Sequence, residues 1–385
     1  MTAAGSGLVT GRAPAEAALE ASLEALERSG ATRADLALVF VSATGDIQAE
    51  SVLHAVRRVT GARVVVGCTG AGVLMDRREA EEAPAVAVLV VQDERLVTTP
   101  VLVEGMAGAA EQLAARLEPT LAEGGCLLLL PDPVGLDPRA LLGGLEVALG
   151  RVPVVGGVAA GDGFLELCNT RAVSGGMAAL ALAGPAPVIG VAQGCVPIGA
   201  PYVITRAEAN VVHEIGSRPA LVVLREAIDS VEGAPARLRR AGLFAGLAMD
   251  PAKSPLDQGD FLVRNLLGVD QASGAVVVGD AVRVGQTLQF QIRDAEASRA
   301  DLLAALEGVR AGLAGRRPAW GCYFDCAGRG RGLFGVPDHD VTLIRETLGD
   351  FPLVGFFGNG ELAPVGRRNF FHTYTGALVV FPAPA

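Results

Sequence analysis

Residues able to grip a small polar molecule gather in the last third of the 385-residue chain. CAGRGRGLFG (326–335) places Arg329 and Arg331 among glycines, directly after an apolar run. GNGELAP (358–364) places Asn359 and Glu361 at the end of another such run, and RRNFFH (367–372) adds Asn369 and His372 before the last one. A guanidinium is a planar fork that matches a carboxylate or phosphate. Glycines let a backbone come close to a bound molecule. Arginine, amide, carboxylate and imidazole on converging loops would suit a small zwitterion such as an amino acid. The competing reading pairs Arg329 and Arg331 with surface carboxylates and makes Asn359-Gly360 an ordinary turn.

Other chemistry finds few footholds. There is no Walker A pattern, HExxH or GxSxG. VVVGCTGAG (64–72) lacks the spacing of a dinucleotide fingerprint, and no helix pattern follows it. His54 and His213 read as packed or surface residues. His339, in PDHDV, reads as part of a helix start, with Asp338 as N-cap and Asp340 favoured by the helix dipole. Cys68, Cys126, Cys168, Cys195, Cys322 and Cys326 form no CxxC pair, and they read as buried free thiols. Lys253, the single lysine, is the one Schiff-base candidate, and it stands in a Pro/Asp-rich loop. No metal or cofactor is expected.

Thirty-two basic against 42 acidic residues give a net charge of −10, which argues against nucleic acid as a partner. No apolar run approaches the ~20 residues needed to cross a bilayer. The first residues read as a flexible lead into an amphipathic helix from about Pro14, without the h-region of a signal peptide. The expected setting is the cytoplasm.

The elements that would carry these loops recur. LALVFVSA (36–43), CLLLLPD (126–132) and AWGCYFDCAGRG (319–330) are strands. Each precedes a helix pattern, a second strand ending in a VG-type turn (66–72, 155–161, 354–360), and a third strand. Near-continuous apolar strands imply sheets covered on both faces. The expected fold is α/β to α+β, with mixed β-sheets covered by helices and an internal strand-helix-strand-strand repeat. Residues 1–32 form a lead and helix, 33–218 an N-terminal domain and 219–385 a C-terminal domain. The loop-rich stretch 229–260 reads as the place for a change of subdomain, with an earlier break near Arg218-Pro219 as the alternative that these bounds follow.

At VVVGCTGAGVL (64–74), VITRAEANVVHEIGSRPALVVLREAI (203–228), DFLVRNLLGVD (260–270), GRGRGLFGVPDHDVTLIRETLG (328–349) and GFFGNGELAPVGRRNFFHTYTGALVVF (355–381), the chain resembles the FIST domain family of sensory modules. The resemblance implies an intracellular signalling role with a small ligand such as an amino acid. It highlights Arg329, Arg331, Asn359, Glu361, Asn369 and His372 and transfers no catalytic assignment. With no output domain in view, signalling implies an unknown protein partner. Two alternatives stand beside the sensor: an amide-hydrolase-like enzyme using Glu361 or His372 as base, with Cys322 or Cys326 as a remote nucleophile, and a protein-interaction scaffold.

Overall fold

The computed structural model describes residues 2–42, 45, 47–122, 124–231, 233 and 242–384. The chain divides into two compact units. One holds Met1–Val191, Leu302–Phe371 and Thr375–Ala385, and the other Ala192–Asp301 with His372–Tyr374.

The larger unit is built on three six-stranded mixed sheets. The first runs Ala3–Thr10, Ala85–Gln92, Leu36–Ser42, Val64–Thr69, Glu166–Cys168, Arg171–Val173. The second runs Val97–Val103, Met177–Ala183, Cys126–Pro131, Val154–Gly157, Glu361–Val365, Arg368–His372. The third runs Val188–Gln193, Thr375–Pro382, Pro318–Cys326, Leu353–Gly358, Gly72–Met75, Arg78–Ala80. In each sheet the third and fourth strands are parallel, and a hairpin from a distant part of the chain closes the far edge. This shared strand order does not by itself establish the repeat expected from the sequence.

A parallel pair needs a crossover, and amphipathic helices supply it. Pro14–Ser29 and Ala49–Thr60 bury their apolar stripes on the first sheet, and Ala109–Leu121 and Pro138–Leu149 on the second. Asp137 caps the last of these by accepting the amides of Arg139 and Ala140, both at 3.0 Å, as its place before Pro138 implies. The opposite faces of all three sheets share one core that includes Phe40, Leu128, Phe324 and Phe356. The Phe40 and Phe356 rings lie 4.9 Å apart.

The glycine of each VG turn answers a packing demand. A Cβ on Gly67, Gly156 or Gly355 would stand 1.7, 1.9 or 1.7 Å from the carbonyl oxygen of Val39, Leu129 or Tyr323 on the neighbouring parallel strand. Only glycine lets those strands meet.

One expectation is corrected. Residues 3–10 are not a flexible lead but an edge strand, paired antiparallel with Ala85–Gln92. Gly5 and Gly7 let it lie against the helix Pro14–Ser29, whose carbonyls would clash with any side chain there.

The smaller unit is all antiparallel. Tyr202–Glu208, Val211–Ile215, Ala275–Val278, Phe261–Asp270, Leu243–Ala248 and Thr287–Arg293 pair in a closed ring, a six-stranded barrel. The helix Ala220–Asp229 contributes Leu221 and Leu224 to its core. Residues 232 and 234–241 of the loop-rich stretch 229–260 lie outside the described residues. No described helix is long and apolar enough to cross a membrane.

Candidate functional site

The strand Pro318–Cys326 delivers an acid, Asp325, into the interior, and the chain then folds back through Gly328 and Gly330 so that Arg329 is buried beneath it. Arg329 has no exposed side-chain surface. Its Nε meets Asp325 Oδ1 at 2.8 Å and its Nη2 meets Asp340 Oδ2 at 2.8 Å. Asp340 comes from the first turn of the helix His339–Leu348. It also accepts the Tyr323 hydroxyl at 2.7 Å, and its Oδ1 lies 2.6 Å from His339 Nδ1. The guanidinium stands 5.4 Å from the Phe334 ring, which stacks on His339 at 3.6 Å.

One guanidinium thus stands between two carboxyls, and their environments separate them. Burial pushes Asp340 up, but Arg329, His339 and Tyr323 more than offset this and hold it at about 2. Burial drives Asp325 well above the usual carboxylate range, and the Asp340 charge adds to that, with Arg329 opposing. Asp340 is the ion of the pair because it collects the donors.

Two more acids surround this centre. Glu361 begins the strand Glu361–Val365 and is fully buried. Burial lifts its carboxyl well above the ordinary value, against the opposing effects of Arg329, the Thr375 amide and the Cys326 thiol. Glu79, in the strand Arg78–Ala80, accepts the amides of Asp340 and Val341 through Oε1, each at 3.1 Å. Burial, and next the Asp340 charge, push Glu79 up to about 8. A carboxylic acid kept neutral near pH 7 can donate a hydrogen bond or a proton.

Glu79 also lines a cleft of about 230 Å³, together with Arg78, Glu81, Glu82, Arg331 and Pro337. Arg331 is 52% exposed there; its Nη1 pairs with Glu82 Oε1 at 2.8 Å, and its amide donates to Glu81 Oε1 at 2.9 Å.

The structure therefore brings Arg329 and Glu361 into one buried network and sets Arg331 at the neighbouring cleft. Asn359 and Asn369 act on backbone. Asn359 Nδ2 donates to Ala159 O at 2.9 Å, and Asn369 accepts from Val154 N at 2.9 Å and donates to Val152 O at 2.8 Å. Both amides fasten their hairpin to the second sheet. His372 is buried and falls in the smaller compact unit.

Asp338 departs from its expected role. It has a left-handed backbone (φ 56°), and its carboxylate accepts Glu79 N at 2.7 Å instead of capping its own helix. Glu79, Tyr323, Asp325 and Asp340 were not anticipated as members of the site. Asp325, an acid inside an apolar strand, was the one available signal.

A second buried acid occupies a matching register. Glu361 lies opposite Gly157, and Glu166 lies opposite Cys68, in the corresponding strand of the first sheet; Val73, opposite Phe356, holds that place in the third. Burial and then the Asp132 charge raise Glu166 to about 9, with the Gly176 amide opposing. All six cysteines are buried, and none forms a disulfide.

A mixed-sheet α+β unit with a buried arginine network, joined in sequence to a small antiparallel barrel, is the class that these features define. The FIST N domain matches residues 35–218 and the FIST C domain residues 220–364, so the chain belongs to the FIST family, whose domains are recognised as sensory modules of signal transduction. An uncharacterised protein of Mycobacterium tuberculosis strain H37Rv is 37% identical over 381 residues, covering 98% of this chain and 99% of its own length. An uncharacterised protein of Mycobacterium bovis is 35% identical, covering 98% of each chain. Among solved structures, a chorismatase aligns over 99% of both chains with 10% identity and a TM-score of 0.34. A cyanuric acid hydrolase from A. caulinodans aligns over 48% of this chain and 71% of its own, with 10% identity and a TM-score of 0.27. Both similarities are too low to bear on function.

Proposed function

We propose that the protein is a cytoplasmic sensory module that binds a small zwitterionic or anionic metabolite, amino-acid-like in character, and passes the signal to a protein partner. The observation that carries this reading is the cleft at Arg331. It presents both signs of charge, guanidinium groups from Arg78 and Arg331 and carboxylates from Glu81 and Glu82, at the scale of a metabolite. The Arg331–Glu82 pair is exposed on both sides, and such pairs are worth roughly 0–1 kcal/mol. A ligand offering its own carboxylate and ammonium can replace each partner of that pair at little cost.

Family membership supports the sensory part of the reading, and Glu79 links the cleft lining to the buried network. A thermal-shift and calorimetric screen of free amino acids, dicarboxylates and phosphorylated metabolites tests it. A saturable shift that is lost in Arg331→Ala and in Glu82→Ala is expected. A screen without any binder, or binding indifferent to both substitutions, refutes it.

A further inference from the structure

Glu79 stands where the cleft meets the helix His339–Leu348. It helps line the cleft, while its Oε1 holds the first amides of the helix and its own amide is held by Asp338, as described above. Its Oε2 is buried and makes no hydrogen bond. The groups acting on Glu79 are acids from every side. Asp340 and Asp338 face it from the helix and its lead-in, Glu81 from its own segment, and Asp325 from the strand Pro318–Cys326. His339 engages Asp340 rather than Glu79, and the guanidinium groups of Arg78 and Arg331 complete the charged lining. In the absence of ligand, burial first and then this crowd of acids favour the neutral form of Glu79, with the Val341 amide opposing.

Resting on the reading of the cleft as the site of an amino-acid-like ligand, we propose that the ligand's ammonium group, seated against Glu81 and Glu82, expels one proton from Glu79. The bond broken is the Glu79 O–H. The proton leaves to solvent, the ligand's ammonium faces the carboxylates of Glu81 and Glu82 while its own carboxylate pairs with Arg331, so the complex carries one positive charge fewer than the separate partners, and no covalent bond to the ligand forms. Ionised Glu79 then holds the Asp340 and Val341 amides by charge-assisted hydrogen bonds at the positive end of the helix. Ligand occupancy is thereby written into the tightness of that helix.

The test is calorimetry of the full chain at pH 7 against each of the twenty L-α-amino acids, in Pipes and in Tris buffer. Different heats in the two buffers report the protons released. For the amino acid that binds, close to one proton per site is expected, with a Kd that falls about tenfold per pH unit from pH 5.5 to 7.5. Its N-acetyl derivative should bind at least tenfold more weakly. Glu79→Gln should bind without releasing the proton. Equal heats in both buffers for the wild type, or proton release that persists in Glu79→Gln, overturns the proposal and leaves the sensor reading intact. Because the first comparison uses the wild type, a variant that fails to fold does not rescue it. Binding of a dicarboxylate but of no amino acid also overturns it, and no binder of any class overturns the sensor reading as well.

Discussion

Replacing Glu166 by glutamine should uncouple part of the protein's stability from pH. Glu166 lies outside the candidate site, fully buried beside Asp132. Its carboxyl rises from an ordinary 4.5 to about 9, chiefly through burial. Below pH 4.5 both folded and unfolded chains hold this proton, and above pH 9 neither does. Between those limits the folded chain binds one proton more, so stability falls as pH rises, by about 1.4 kcal/mol per unit. From pH 5 to pH 8 that amounts to about 4 kcal/mol from this single group. Glutamine keeps the shape and cannot ionise. Asp325, Glu361 and Glu79, whose carboxyls are also raised, contribute alike to both proteins and cancel in the difference. Urea unfolding of wild type and Glu166→Gln at pH 5, 6, 7 and 8 measures it. The variant should gain on the wild type by about 1.4 kcal/mol at each step. Parallel pH profiles would show that Glu166 is ionised in the folded protein and would sink the reasoning.

Arg329→Leu should cost about 3–5 kcal/mol in chemical denaturation, because it strands the buried Asp340 charge; a loss under 1 kcal/mol would contradict the network. Tyr323→Phe removes one buried donor to Asp340 and should cost about 1–3 kcal/mol by the same measurement. Arg331→Ala should leave the unfolding free energy within about 0.5 kcal/mol while abolishing ligand-induced thermal shifts, which separates the exposed arginine from the buried one. Gly355→Ala should destabilise by about 3 kcal/mol or more, since its Cβ would have to share space with the Tyr323 carbonyl; near-normal stability would mean that the strands can part.

Much of the architecture could be read from residue patterns alone. The helix patterns around residues 51–59 and over 137–150, the Asp137-Pro138 start and the continuous apolar strands all specify local structure, and the helices Ala49–Thr60 and Pro138–Leu149 follow them. Ala3–Thr10 escaped because AAGSGLVT lacks strand-forming bulk; its pairing is decided by Ala85–Gln92, far along the chain. The site was legible in part for the same reason. Arginine among glycines singled out the loop that carries Arg329 into the buried network, but nothing local shows that Arg329 turns inward to Asp340 while Arg331 stays outside. Glu79 reaches the site from more than 250 residues away, through hairpin pairing with no signature in its own sequence.

The hairpins that close the three sheets tie the chain into a ring of loans. Gly72–Met75 and Arg78–Ala80 complete the sheet of Leu353–Gly358, the strands beginning at Glu361 and Arg368 complete that of Val154–Gly157, and Glu166–Cys168 with Arg171–Val173 completes that of Val64–Thr69. A fragment cut at the border between the two family segments leaves sheets with bare edges, open to pairing with other chains. Such a fragment should aggregate when expressed alone. In a living cell, the sheets could not all be complete until residues 361–382 had left the ribosome.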